Sequence, residues 1–319
     1  MELRWDPLLR QWNIVSGIRE HRPVLQDRHC PFCPGSPELP PSWDVASIPN
    51  RFPALIEEPP APSVDCRPPF KCRPARGVCE VVLYSQDHNA SLSSLSVELM
   101  TKLVELWRER YKSLGERSYI KYVFIFENKG REIGVTLDHP HGQIYGLPFI
   151  PPRIQAELRS SRRYWRTKRR CLFCDVVKNE IDARRRVVSQ NSEFICFLPF
   201  FAHWPYGVHI YPRGHLPSIL QFSKRQRRLF ALILKDTVLR FDNLFGFSFP
   251  YMMVFHQQPT DGREYPHYHF HVEFYPPLRD RGKIKFFAGV EMGAGTTTFD
   301  YVPEERAQEL RSSAGFIEP

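Results

Sequence analysis

Among the twelve histidines, five consecutive residues stand out: His139-Pro140-His141-Gly142-Gln143. On an extended segment residues 139, 141 and 143 project to one side. A neutral imidazole can attack a phosphorus centre if its second nitrogen donates to a carbonyl and so sets the tautomer. His141 is therefore the candidate nucleophile, next to a Gly- and Asn-containing loop running from Asn128-Lys129-Gly130 to Gly134. The alternative is a histidine that merely packs in a turn made by Pro140 and Gly142. Gln143 bears on the reaction class. Its amide can hold a phosphoryl oxygen but cannot relay a proton. With no general base offered to water, a covalent intermediate would survive until an acceptor arrives. That favours a transferase over a hydrolase.

Two short cysteine pairs, Cys30-Pro31-Phe32-Cys33 and Cys171-Leu172-Phe173-Cys174, could each present two thiolates to one ion. Two later histidines would complete a tetrahedral set suited to Zn²⁺. The sets are Cys30, Cys33, His88, His139 and Cys171, Cys174, His215, His269. Both spheres are closed, so two zinc ions per chain would be structural. In the second half His256, His267 and His271 compete as ligands. With His139 tied to metal, the backbone at His141 would be held in place. Cys66, Cys72, Cys79 and Cys196 have no such partner and read as ordinary thiols.

The elements that must position these residues occur twice. The order is C-x-x-C, strand, histidine, helix, strand, histidine cluster. His139 and His269 stand 130 residues apart, as do His141 and His271. The spacing of Met100, Leu103, Val104, Trp107, Tyr111 and Leu114 predicts a helix from about Val97 to Leu114. Leu229, Phe230, Ile233, Leu234 and Phe241 predict its counterpart from about Lys224 to Phe241. Ser96 and Ser223 are the expected N-caps. Apolar runs Val78–Tyr84, Tyr119–Glu127, Glu193–Phe197, Val208–Tyr211 and Tyr251–His256 predict strands. The fold class is α+β: two tandem halves, 1–150 and 171–319, each an antiparallel sheet with a packed helix. Residues 151–170 form an Arg-rich helical connector.

The chain has 319 residues, with 42% apolar and 25% charged. That is a globular balance. No apolar run reaches ~18 residues, so no membrane span is expected. The start, MELRWDPLLRQWNIV, lacks the layout of a secretory leader, so a cytoplasmic location with disulfides disfavoured is expected. A net charge of +9 favours anionic partners. A zinc-stabilised nucleic-acid-binding protein would share the charge and the cysteine pairs, but it gives no reason for His141; no nucleic-acid partner is expected.

The string Asn128-Lys129-Gly130…Gly134…His139-Pro140-His141-Gly142-Gln143 resembles the galactose-1-phosphate uridylyltransferases, a branch of the histidine-triad superfamily. The resemblance spans nearly the whole chain. It includes Gln11-Trp12…Val15-Ser16…Arg19…Arg22-Pro23, Pro49-Asn50-Arg51-Phe52-Pro53-Ala54-Leu55, Phe274-Tyr275-Pro276-Pro277-Leu278-Arg279 and Gly289-Val290-Glu291-Met292. It implies two histidine-triad-like halves and a double displacement. His141 would take UMP from UDP-glucose, and galactose 1-phosphate would then collect it as UDP-galactose. Position by position, Arg19 and Arg22 would contact phosphate or uridine. Asn50, Phe52 and Asn128 would surround the nucleotide. Gly134 and Thr136 would supply backbone and hydroxyl contacts. Lys285 would offset sugar-phosphate charge, and Glu291 would accept from sugar hydroxyls. A homodimer with a shared active site is implied.

The sequence departs from better-known members in places. They carry H-x-H before the F-Y-P-P segment, where this chain has His271-Val272-Glu273. They often hold a second metal through glutamate and histidines, and Glu157 and His256 fall at two such positions. A Glu157, His256, His271, Glu273 site is therefore the rival to the second Cys2His2 set, which is favoured because it mirrors the first. Arg51 replaces an acidic residue of the nucleotide loop. The nearest rival activity is a phosphorylase of the same fold acting on ADP-glucose.

Overall fold

The computed structural model describes residues 1–21, 30–36, 39 and 41–315. The first half comprises β1 (Glu2–Asp6), β2 (Gln11–Val15), β3 (Ala46–Pro49), β4 (Cys72–Pro74), β5 (Val78–Leu83), α1 (Val97–Gly115), β6 (Tyr122–Lys129) and β7 (His141–Leu147). Two helices follow, α2 (Pro152–Lys168) and α3 (Leu172–Ala183). Then come β8 (Val187–Gln190), β9 (Phe194–Phe197), β10 (His209–Pro212), α4 (Lys224–Phe245), β11 (Tyr251–His256) and β12 (His271–Tyr275). A small hairpin of β13 (Leu278–Asp280) and β14 (Lys283–Ile284) precedes α5 (Pro303–Ser312).

The apolar stripes form the helices they predict. Ser96 Oγ accepts from the Leu99 N–H at 3.1 Å and starts α1. Ser223 and Gln226 cap α4 reciprocally, each side chain bonding the other's backbone N–H. α4 runs four residues past the expected Phe241, because Leu244 and Phe245 still reach the core. It stops at Gly246, whose φ of 73° suits a residue without Cβ. Met100, Leu103, Val104, Trp107, Tyr111 and Leu114 of α1 are buried with Phe230, Ile233, Leu234 and Phe241 of α4 in one core cluster. Each such side chain contributes roughly 1.5–3 kcal/mol by leaving water.

The two halves are not separate sheets. Nine strands form one sheet in the order β3-β5-β7-β6-β11-β12-β10-β9-β8, with every neighbouring pair antiparallel. The seam is β6 against β11, where Lys129 faces Tyr251 and Phe126 faces Val254. Joining two half-sheets edge to edge satisfies backbone groups that each alone would expose. β1, β2 and β4 form a second, three-stranded sheet.

One cysteine expectation fails. Cys66 and Cys72 are joined by a disulfide, with Cα atoms 6.1 Å apart. They flank a short loop through Pro68-Pro69 that brings the chain back on itself, within ordinary bridging distance. Cys79 and Cys196 are free and buried, as expected.

Candidate functional site

His141 opens β7, which lies between β5 and β6. Alternation along the strand buries Gly142 and Ile144 towards the helices and turns His141 and Gln143 to the other face. The His141 Nδ1–H donates to the His139 carbonyl oxygen at 2.8 Å. That bond fixes the tautomer and leaves Nε2 as the nitrogen with a lone pair. His141 lines a cavity of about 650 Å³ together with Asn128, Lys129, Gly130 and Asp138. Val135, between the expected contacts Gly134 and Thr136, lines it too.

Further along the same face the Gln143 Oε1 accepts from Asn50 Nδ2 and from the Tyr145 hydroxyl, each at 3.4 Å. With its oxygen engaged, the amide presents its N–H donors. Arg19 donates to the Phe52 carbonyl and to the Tyr145 hydroxyl, both at 3.3 Å. Arg19, Asn50, Phe52 and Gln143 are thus linked through contacts from three separate segments. Tyr145 was not anticipated; its position two residues after Gln143 on one strand face is the signal that could have found it. Arg22 lies outside the described residues. Lys285 and Glu291 are placed elsewhere, on the C-terminal segment. Lys285 Nζ lies 3.8 Å from Glu291 and 3.6 Å from Asp300. Hydrogen bonds from Thr298 and the backbone hold the Glu291 carboxyl down at about 2. Neither residue lines the His141 cavity in its own chain.

Both Cys2His2 sets converge, each with its ligand atoms within 4.8 Å of one another. In the first, His88 Nδ1 and His139 Nδ1 face Cys33 Sγ at 3.4 and 3.8 Å. His139 Nε2 is tied to the Ser85 carbonyl at 2.8 Å. The second repeats the plan: His215 and His269 Nδ1 face Cys174 Sγ at 3.5 and 3.4 Å, and His269 Nε2 is tied to the Pro212 carbonyl. Burial lowers the affinity of both His139 and His269 for a proton. Neutral imidazoles with one nitrogen fixed on a carbonyl and the other aimed at thiols fit a zinc ion.

The set treated as a rival is a third, separate cluster: Glu157, His256, His271 and Glu273 also converge within 4.8 Å. His269 and His271 stand two residues apart on one segment, ~6.6 Å along it, and each belongs to its own cluster. His271 repeats the His141 arrangement, with Nδ1–H donated to the His269 carbonyl at 3.0 Å. Its Nε2, however, meets His256 Nδ1 at 3.2 Å and Glu273 at 3.4 Å rather than an open cavity. Burial works to raise the Glu157 carboxyl, but His256 at 2.9 Å and His271 outweigh it and lower it. Two carboxylates and two imidazoles suit a harder divalent ion than the thiolate sets do.

Comparison with known proteins follows this geometry. Residues 2–151 match the family described as galactose-1-phosphate uridyl transferase, N-terminal domain, and residues 157–316 match its C-terminal domain. The galactose-1-phosphate uridylyltransferase of Thermotoga maritima is 43% identical over 315 residues, covering 98% of each chain. A solved uridylyltransferase structure superposes with a TM-score of 0.90 at 38% identity, covering 98% of each chain. An ADP-glucose phosphorylase from Arabidopsis thaliana shares the fold, with a TM-score of 0.77 at 23% identity over 98% of this chain and all of the other.

Proposed function

The chain belongs to the galactose-1-phosphate uridyl transferase family, and from that premise we propose a uridylyl transfer between UDP-glucose and galactose 1-phosphate in two displacements at His141. The observation that carries the reading is the 2.8 Å bond from His141 Nδ1 to the His139 carbonyl, beside a large cavity. In the first displacement the Nε2 lone pair attacks the α-phosphorus of UDP-glucose. The bond from that phosphorus to the bridging oxygen breaks, and glucose 1-phosphate leaves with the electron pair. In the second, a phosphate oxygen of galactose 1-phosphate attacks the same phosphorus and the P–N bond breaks. The His139 carbonyl stabilises the positive charge that the ring carries between the two steps. No proton has to move to either leaving group. Gln143, held through its oxygen, offers N–H donors to a phosphoryl oxygen.

Zinc in the two Cys2His2 sets would tie loops together and supply no chemistry at phosphorus. The reading extends to a cytoplasmic homodimer in which Lys285 and Glu291 serve a neighbouring subunit's site. Exposed Phe286, Val290 and Met292 beside them suit contact with a second copy. Incubation with radiolabelled UDP-glucose or ADP-glucose, without acceptor, tests the donor. Label retained from the uridine donor is expected; label retained only from ADP-glucose would replace this reading with the phosphorylase activity.

A further inference from the structure

Gly142 sits between His141 and Gln143 and points to the opposite face of the sheet. A Cβ built there would lie 2.1 Å from the Tyr84 hydroxyl oxygen and 3.0 Å from the Phe126 carbonyl oxygen. The missing side chain is therefore a gap, and the Tyr84 phenol fills it. Tyr84 is fully buried against Trp107 of α1. Its backbone N–H also donates to the Pro140 carbonyl at 3.1 Å, so both ends of the residue brace the segment that carries the nucleophile. Through the gap the phenol faces the carboxyl of Glu127 on β6. Glu127 Oε1 in turn accepts from the Tyr251 hydroxyl on β11 at 3.3 Å.

Tyr84, just past the end of β5, with Gly142, Glu127 and Tyr251 follows the strand order β5-β7-β6-β11. They make a row of buried polar groups directly behind the His141 strand, crossing the seam into the second half. Glu127 is 5% exposed and its Oε2 has no hydrogen-bond partner. The nearby Lys129 ammonium is 2.9 Å from Asp242 at the end of α4.

We propose that Glu127 is a positioning residue for the nucleophile, acting through Tyr84 and Gly142 on the backbone that aims His141. The inference rests on the nucleophilic reading of His141. The groups that face the carboxyl are Tyr84, Tyr251, Lys129 and Asp242. Burial pushes it up to about 8, and the attraction of Lys129 does not offset that. At neutral pH it is thus a carboxylic acid. Above about pH 8 it becomes an anion that pulls the Tyr84 hydroxyl towards itself. It also places negative charge on the wall of the same cavity that His141 lines, where a phosphate must be received. Both changes act on the rate of attack more than on nucleotide binding.

The sign for stability follows from the same ionisation. The raised folded-state affinity stabilises the fold fully below about pH 4.5, and that contribution is gone once the pH passes about 8. Glu127→Gln, which cannot ionise, should therefore gain on wild type as pH rises.

The test is kcat and KM for UDP-glucose against pH, from about 6.5 to 9.5, in metal-replete wild type, E127Q and Y84F. Wild-type kcat should fall through about pH 8, while E127Q shows no such fall. Y84F should lower kcat about tenfold at pH 7 with KM changed less than about threefold. Superimposable wild-type and E127Q profiles, or wild-type kcat in Y84F, would overturn the proposal. A role in folding alone would shift thermal stability but leave the alkaline limb of E127Q in place. If wild type forms no uridylyl adduct from UDP-glucose, the nucleophile reading has failed; an adduct with unaltered E127Q kinetics refutes the positioning role alone.

Discussion

At the scale of single residues, the division of labour between His141 and Gln143 rests on what each nitrogen and oxygen is already doing. The Nδ1 of His141 is committed to the His139 carbonyl, and the Oε1 of Gln143 to Asn50 and Tyr145. On the proposed reading, the Nε2 lone pair of His141 and the N–H donors of Gln143 are the equipment for attack at phosphorus without proton relay. Gln143→His would place a proton acceptor where water could use it. The uridylyl intermediate should then hydrolyse faster, by about tenfold or more, measured as decay of the isolated adduct in buffer. An unchanged half-life would remove Gln143 as the reason for transferase behaviour. His141, Gln143 and the cysteine pairs were legible in the sequence because their residue types are rare and their spacing is short. The Tyr84–Glu127–Tyr251 row was not. Its members come from β6, β11 and the residue after β5, and only the sheet order makes them neighbours.

At the scale of elements, each histidine segment does two jobs by spacing along the chain. His139 faces the first cysteine pair while His141 faces the cavity; His269 faces the second pair while His271 joins Glu157, His256 and Glu273. The duplicated spacing in the sequence is this duplicated strand geometry. The two ligand sets do not compete, since residues two apart on a strand share a face but stand ~6.6 Å apart along it, enough for each to join its own cluster. Cys30→Ser should lose about one metal ion and much of the thermal stability together, because ligand binding energy is folding energy. Cys171→Ser should also release about one ion while the carboxylate–histidine cluster keeps its own. Elemental analysis of purified protein checks both, and unchanged metal content in Cys171→Ser would refute the second thiolate site. The helices and strands followed their apolar periods to within a few residues. α4 overran the expectation because Phe245 still had core to reach.

At the scale of the whole molecule, the two repeats are fused into one nine-stranded sheet through β6 and β11. That seam was invisible in the sequence. Edge pairing is made by backbone groups and leaves no residue-type signature. The two halves have diverged in what their third histidine-segment position meets: an open cavity at His141, a ligand cluster at His271. On the proposed reading the chemistry belongs to one half, and the other is joined to it across the seam. Lys285 and Glu291, expected at the site from resemblance, pair with each other away from the cavity. The most direct test of the account is intact-mass measurement after mixing the protein with UDP-glucose alone, followed by peptide mapping. One uridine-monophosphate adduct per chain on His141 is the expected result, absent from His141→Ala with its metal content intact. No adduct, or an adduct on another residue that persists in His141→Ala, would contradict it.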